Sequence, residues 1–221
     1  FNKIIWGLFF LLFAFMFLDV LDNIEETTPI VIVKLTKLFL IVSAFLVLYR
    51  VINSKRISIV VFLFILLSIT MFLRFWWIFS VNTEPISDFA LMFGTANELT
   101  LGNFEKIQES HYFNIFSSNI PFTLYEAVVL YFFKSLVALK ILNVLFAGLI
   151  VYLIYKITQT ISNERIARLT SLISALFPPF FIYTSVLTNQ TLSIVFILLA
   201  LLFYFRKMNL IYVGLFLSVA N

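Results

Sequence analysis

"ISIVVFLFILLSITMFLRFWWIFS", residues 57–80, decides the class of fold. The run carries a single charge, Arg74. A helix needs about 20 mostly apolar residues to cross the hydrocarbon core of a bilayer. Inside that core every backbone polar group must be satisfied within the segment, so such a run is expected to be helical. Composition points the same way. The chain is 62% hydrophobic, 19% aromatic and 12% charged, whereas a soluble domain carries roughly 25% charged residues.

Working outward, the same reading gives spans at Ile4–Leu21, Ile30–Ile52, Ile57–Ser80, Lys134–Tyr155, Ile166–Ser185 and Thr188–Phe205, with a partial one at Leu210–Ala220. The fold class expected is all-α, a polytopic transmembrane helical bundle. "FPPF" at Phe177–Phe180 places two prolines inside the fifth span, where they should kink it or loosen its end. Phe1 is not an initiator methionine and the last apolar run stops at Asn221, so the chain is expected to be the N-terminal half of a longer protein. No cleavable signal peptide is evident.

Charge gives orientation. One set of span ends carries Lys3, Arg50, Lys55, Arg56, Lys156, Arg165, Arg168, Arg206 and Lys207, with Glu164 as the one acid. The other ends carry Asp19, Asp22, Glu25, Glu26, Glu84, Asp88, Glu98, Glu105, Glu109 and Glu126. The positive-inside bias places the first set in the cytoplasm. Residues 81–133 then form one extracytoplasmic loop, and the expected setting is a bacterial cytoplasmic membrane. Basic residues spread over several loops are not a nucleic-acid surface. With no cysteine and the single histidine His111, neither a disulfide framework nor a multi-histidine metal site is available in this chain.

The long loop is the natural place for function, since long connections are uncommon and usually functional. Ser87 is expected to cap a helix that begins at Asp88. Phe89, Met92, Phe93, Ala96 and Leu99 recur at helical spacing, with Thr95 and Glu98 on the other side and Gly102 as the stop. The pattern reads as an amphipathic helix lying on the outer membrane surface. Asp88 and Glu98 share a face but stand about 15 Å apart along the axis, too far for a paired-carboxylate site. Pro121–Phe133 opens with proline, a good helix start. A carboxylate at a helix N-terminus sits in favourable potential, and at the membrane boundary it could take a proton from a hydroxyl or help hold a divalent metal. The plainer reading is that Asp88 only charges a helix start.

Here the chain resembles the GT-C membrane glycosyltransferases of the protein O-mannosyltransferase and aminoarabinose-transferase branch, glycosyltransferase family 39 and its bacterial relatives. The resemblance rests on Asp88 after a span, followed by Ala96, Glu98, Leu99 and Gly102, then Ile120–Tyr125, then Asn143–Ile157. It continues through Ala167, Leu169 and Ala175–Pro178 to "FIYTSVLTNQTLS", Phe181–Ser193. It covers residues 75–221. Many members carry a second acid where Phe89 stands, a histidine where Asn119 precedes Ile120-Pro121, and an acid in the polar pair that is here Asn189-Gln190. The resemblance implies transfer of a sugar from a polyprenyl-phosphate donor to a glycan, lipid or protein acceptor at the outer face. Asp88 would be the base or acceptor-orienting carboxylate. Arg74, Glu98, Tyr125, Lys134 and Asn189 would be substrate-binding, and residues 1–56 would be two additional spans. The rival is a transporter or lipid flippase, which places its site near mid-membrane on broken helices.

Other residues have plainer expectations. Arg74, about 9 Å from the outer end of its span, is expected to snorkel to the interface, the functional alternative being to pair with a donor phosphate or an outer-loop carboxylate. Lys34, Lys37, Lys134 and Lys140 read as interface anchors, as do Trp76 and Trp77. In the outer-loop pair His111-Tyr112 the lone histidine reads as a surface or packing residue rather than a ligand, and Glu84 and Glu126 are expected to be solvated.

Overall fold

The computed structural model describes residues 57–81 and 83–220. The chain divides into two units, and the helices below belong to the second, Ile59–Asn221. The expected spans Ile4–Leu21 and Ile30–Ile52 lie outside the described residues, as do Lys34 and Lys37.

Every regular element among the described residues is helical. In chain order these are α1 (Ile59–Ser80), α2 (Ser87–Thr100), α3 (Glu105–Gln108), α4 (His111–Ile115), a 3-10 turn (Ser117–Asn119) and α5 (Ile120–Phe133). Then come α6 (Leu136–Ile161), α7 (Glu164–Leu176), α8 (Pro178–Ile182), a second 3-10 turn (Tyr183–Ser185), α9 (Asn189–Phe205) and α10 (Leu210–Ala220). Helices α1 and α6 are long and apolar enough to cross a membrane. Helix α7 and the segment from Pro179 to Ser185 would make a third crossing if taken together, with a bend of 57° between them. Helices α9 and α10 are apolar but shorter.

Helix α6 is the central post, packed against α1, α7 and α9. It runs antiparallel to α1. Near one end the Phe62 and Tyr155 rings lie 6.4 Å apart, and near the other Lys140 Nζ donates to the Thr83 carbonyl. The two helices approach closely at Gly148, where an added Cβ would fall 2.7 Å from Met71 Cε. At the α6–α7 corner Glu164 collects three donors: Tyr155 Oη at 2.6 Å, Gln159 Nε2 at 3.0 Å and Arg168 Nε at 2.7 Å. Asn163 caps α7 by accepting from the Ile166 N–H at 3.0 Å, satisfying an orphan donor of the first turn.

Local chemistry sets the other boundaries. The expected span Lys134–Tyr155 begins instead at Leu136, because Lys134 closes α5 in the left-handed region (φ 48°) and Ser135 caps α6. The double proline breaks the fifth expected span at Phe177, as anticipated for residues that donate no backbone N–H. The cap of α2 is not Ser87. Ile86, extended, occupies that position with no side-chain cap bond, and Ser87 is the first helical residue at φ 53°. At the far end Gly102 (φ 84°) donates to Leu99 O at 3.0 Å and Asn103 N–H donates to Glu98 O at 3.1 Å, the paired bonds of a Schellman stop.

The stripe on α2 is directed otherwise than its amphipathicity suggests. Ala96 and Leu99 pack into one cluster with Ala127, Val129 and Leu130 of α5, and Met92 packs with Phe113 and Phe122. The apolar face that was expected against lipid is covered by α5, and Thr95, expected on the polar side, is buried with it. A neighbouring helix offers a fixed surface of complementary shape, which a bilayer surface does not.

The close approach at Gly148 is testable. Gly148→Ala asks only the far end of Met71 to rotate and should cost less than about 1 kcal/mol. Gly148→Leu overfills the α1–α6 contact and should cost about 1–3 kcal/mol. Thermal unfolding followed by tryptophan fluorescence in detergent would separate the two. Equal midpoints would contradict the packing.

Candidate functional site

Three polar residues from three elements form a chain of hydrogen bonds, and a fourth, Asp88, acts on it electrostatically. Asn189, the first residue of α9, donates from Nδ2 to Asn119 Oδ1 at 3.1 Å. Asn119, at the end of the first 3-10 turn, donates from Nδ2 to Tyr112 Oη at 2.7 Å. The Tyr112 hydroxyl, its oxygen thus occupied, has its own proton to give, and it interacts with the Asp88 carboxylate in the first turn of α2. The pairing of Asn119 with Asn189 joins residues 70 positions apart.

Each member is placed by its local sequence. Pro121 in the first turn of α5 ends the preceding 3-10 turn at Asn119. The Tyr112 ring is wedged by Phe113 and Phe116, each at a centroid distance of 5.2 Å. Asp88 is exposed, and Ser87 Oγ lies 3.4 Å from its Oδ1. Burial, first, and the Asp88 charge raise the Tyr112 phenol above its ordinary value, while the bond from Asn119 draws it back. The phenol therefore stays a proton donor at neutral pH. An exposed carboxylate beside a neutral phenol can accept a proton from a bound hydroxyl.

Of the residues singled out in the sequence, Asp88 and Asn189 are brought together through Tyr112 and Asn119. Glu98 is not. It sits at the opposite end of α2 and accepts from Asn103 Nδ2 at 3.1 Å. Tyr125 is a packing residue in α5, with its ring 5.8 Å from Phe122 and 6.2 Å from Phe146. Its hydroxyl is buried without a hydrogen-bond partner, and burial, then the neighbouring Glu126, raise its phenol. Lys134 is exposed at the α5–α6 corner.

Several plain expectations are corrected. Arg74 does not snorkel. It is 1% exposed, and Nη1 donates to Thr70 O at 3.3 Å and Ala175 O at 3.0 Å. Lys140 is 4% exposed and donates into the backbone at Thr83 rather than anchoring at an interface. Trp77 donates from Nε1 to Ser185 Oγ at 3.2 Å and lies against the Phe181 ring at 5.2 Å, tilted by 49°, while Trp76 is exposed. Glu126 is 0% exposed, and neither carboxyl oxygen has a hydrogen-bond partner. Its position could have been read from spacing, because Phe122, Glu126 and Leu130 recur every four residues along the buried face of α5. Tyr112 had no such signal. Its role depends on a contact between chain segments that no local pattern encodes.

Among the described residues no three histidine, aspartate or glutamate side chains converge on one point. Asp88 is the one carboxylate in the network, so the donor set does not fit a divalent metal. No protein-family model, curated protein or solved structure matches the chain.

Burial lifts the Glu126 carboxyl from 4.5 to about 8. The folded chain therefore keeps this proton through a pH range in which the unfolded chain releases it. Stability from the group is full below about pH 4.5 and declines as pH rises toward about 8. Glu126→Gln should remove that slope and raise the unfolding midpoint at pH 8 by at least about 2–4 °C, the equivalent of about 1 kcal/mol. Midpoints recorded from pH 5 to 8.5 would show it. Identical slopes for the two proteins would contradict the burial.

Proposed function

We propose that the chain carries the catalytic loop of a polytopic membrane glycosyltransferase of the GT-C type, acting at the extracytoplasmic face. The observation that carries the reading is the Asp88–Tyr112–Asn119–Asn189 network. It unites the aspartate on which the family resemblance rests with two asparagines at positions where relatives often carry other polar groups. In this reading residues 81–133 lie outside the membrane, and α1, α6, the bent α7–α8 pair, α9 and α10 lie within it.

The reaction is a displacement at the anomeric carbon of a polyprenyl-phosphate sugar. The acceptor hydroxyl oxygen forms the new bond to that carbon as the bond to the phosphate oxygen breaks. The phosphate leaves with the electron pair, and Asp88 takes the acceptor proton. Tyr112 orients the carboxylate through its hydroxyl, and Asn119 fixes Tyr112 while tying it to α9. A general base contributes typically 10²–10⁴-fold.

One feature favours a second reading as a transporter or lipid flippase. The 57° bend after α7 is the kind of interruption on which membrane transporters build sites. Transport of a lipid-linked sugar by reconstituted protein with no glycosylated product would select that reading.

The intact protein, reconstituted with a lipid-linked sugar and acceptor, tests the enzyme directly. Asp88→Asn should lower turnover about 10²–10⁴-fold at unchanged expression. Tyr112→Phe, which keeps the carboxylate and loses only its orientation, should cost a smaller factor, about tenfold, as befits one hydrogen bond to a charged group. Unimpaired turnover in Asp88→Asn would overturn the assignment.

A further inference from the structure

Beside Arg74 lies a cavity of about 350 Å³, walled by α6, α7, α8 and the first turn of α9. The mechanism above makes no use of it. The Arg74 side chain enters it almost completely buried, and its Nε has no hydrogen-bond acceptor. The two bonds from Nη1 to backbone carbonyls account for part of the guanidinium but leave its charge uncompensated. The Phe181 ring, 5.9 Å from Cζ, offsets it only weakly. Among the described residues no aspartate or glutamate lines the cavity. A guanidinium keeps its proton at neutral pH, and a buried cation without a counter-anion is costly unless something pairs with it.

The rest of the wall suits an anion. Ser174 is 7% exposed, and its Oγ, also in the wall, has no partner. Thr188, Gln190 and Thr191 line the cavity at the start of the 17-residue helix α9. Thr188 makes no side-chain cap bond, so the first-turn N–H groups of α9 lack the side-chain acceptor that a helix start usually has. A helix N-terminus, a planar guanidinium fork and free hydroxyls are together the donor set of an oxyanion with several equivalent oxygens. Opposite them Ala147, Ile150 and Val151 form an apolar wall.

We propose that the Arg74 cavity is a binding site for a phosphate group, supplied either by a lipid headgroup or as the free ion. The guanidinium and the first turn of α9 hold its oxygens, and the apolar wall holds whatever is esterified to it. The proposal rests on the placement of α1 and α6 in a membrane but not on sugar transfer.

Native mass spectrometry and thermal shift of the full protein in detergent test it. The probes are phosphatidic acid, inorganic phosphate and, as a zwitterionic control, phosphatidylcholine. The wild type should retain one phosphatidic acid and be stabilised by it, with at least tenfold weaker binding in Arg74→Gln. If inorganic phosphate binds as tightly as phosphatidic acid with the same dependence on Arg74, the source is the free ion and the site stands. If Arg74→Gln does not fold, the Gln190→Leu/Thr191→Val double variant carries the test, with an expected loss of several-fold. Asp88→Asn should keep the phosphate bound, which separates this site from the transfer reaction. Binding no stronger than that of phosphatidylcholine, or undiminished in the folded cavity variants, would overturn the proposal.

Discussion

Two adjacent prolines impose the constraint from which the rest of the structure follows. In a continuous helix the N–H groups of residues 178 and 179 would bond to the carbonyls of Ser174 and Ala175. Pro178 and Pro179 have no N–H to give. In apolar surroundings an abandoned carbonyl must find another donor. For Ala175 that donor is Nη1 of Arg74, reaching from α1 at 3.0 Å. A charge that looked out of place in an apolar run is thus held there by a break 101 positions away.

The irregular chain after the break has the same need, and it is met from several directions. Trp77 and Thr83 bond to Ser185, and Asn143 Nδ2 donates to Val186 O at 3.2 Å. Side chains of α1, of the segment after it and of α6 therefore fix where α9 begins. Once that point is fixed, Asn189 can reach Asn119, and the segment between α1 and α6 acquires an attachment besides its own α2–α5 packing. Backbone satisfaction, helix placement and the Asp88 network are links of one chain. The Arg74 cavity lies on its inner side: Asn189 faces the network, and Gln190 and Thr191 face the cavity.

How much of this was legible depends on the range of the interaction involved. Hydrophobic run length located α1, α9 and α10 to within two residues, because that signal is local. The stop at Gly102 and the proline start of α5 were legible for the same reason. The start of α6 was not, since Lys134 in a left-handed corner resembles any lysine at the edge of an apolar run. The face that α2 buries was visible as a stripe, but whether lipid or protein would cover it depends on α5, some thirty residues on. Arg74, Lys140 and Glu126 read as solvated or interfacial in the sequence because charge alone suggests water. Their partners, or the absence of partners, are set by tertiary neighbours. Asp88 and Asn189 stand 101 positions apart in the sequence, and only the fold brings them to the two ends of one polar cluster through Tyr112 and Asn119.

The contact between Asn119 and Asn189 holds the Asp88 segment on α9, and residues 1–221 contain no cysteine to compete in a direct measurement of it. Asn119→Cys/Asn189→Cys in this chain, in native membranes, should be joined by a short bifunctional thiol reagent. A control pair, Asn119→Cys/Ser218→Cys, should not. Cross-linking of the first pair well above the control is the predicted result. No cross-link above the control, in protein that still folds and inserts, would contradict the docking of the Asp88 segment on α9.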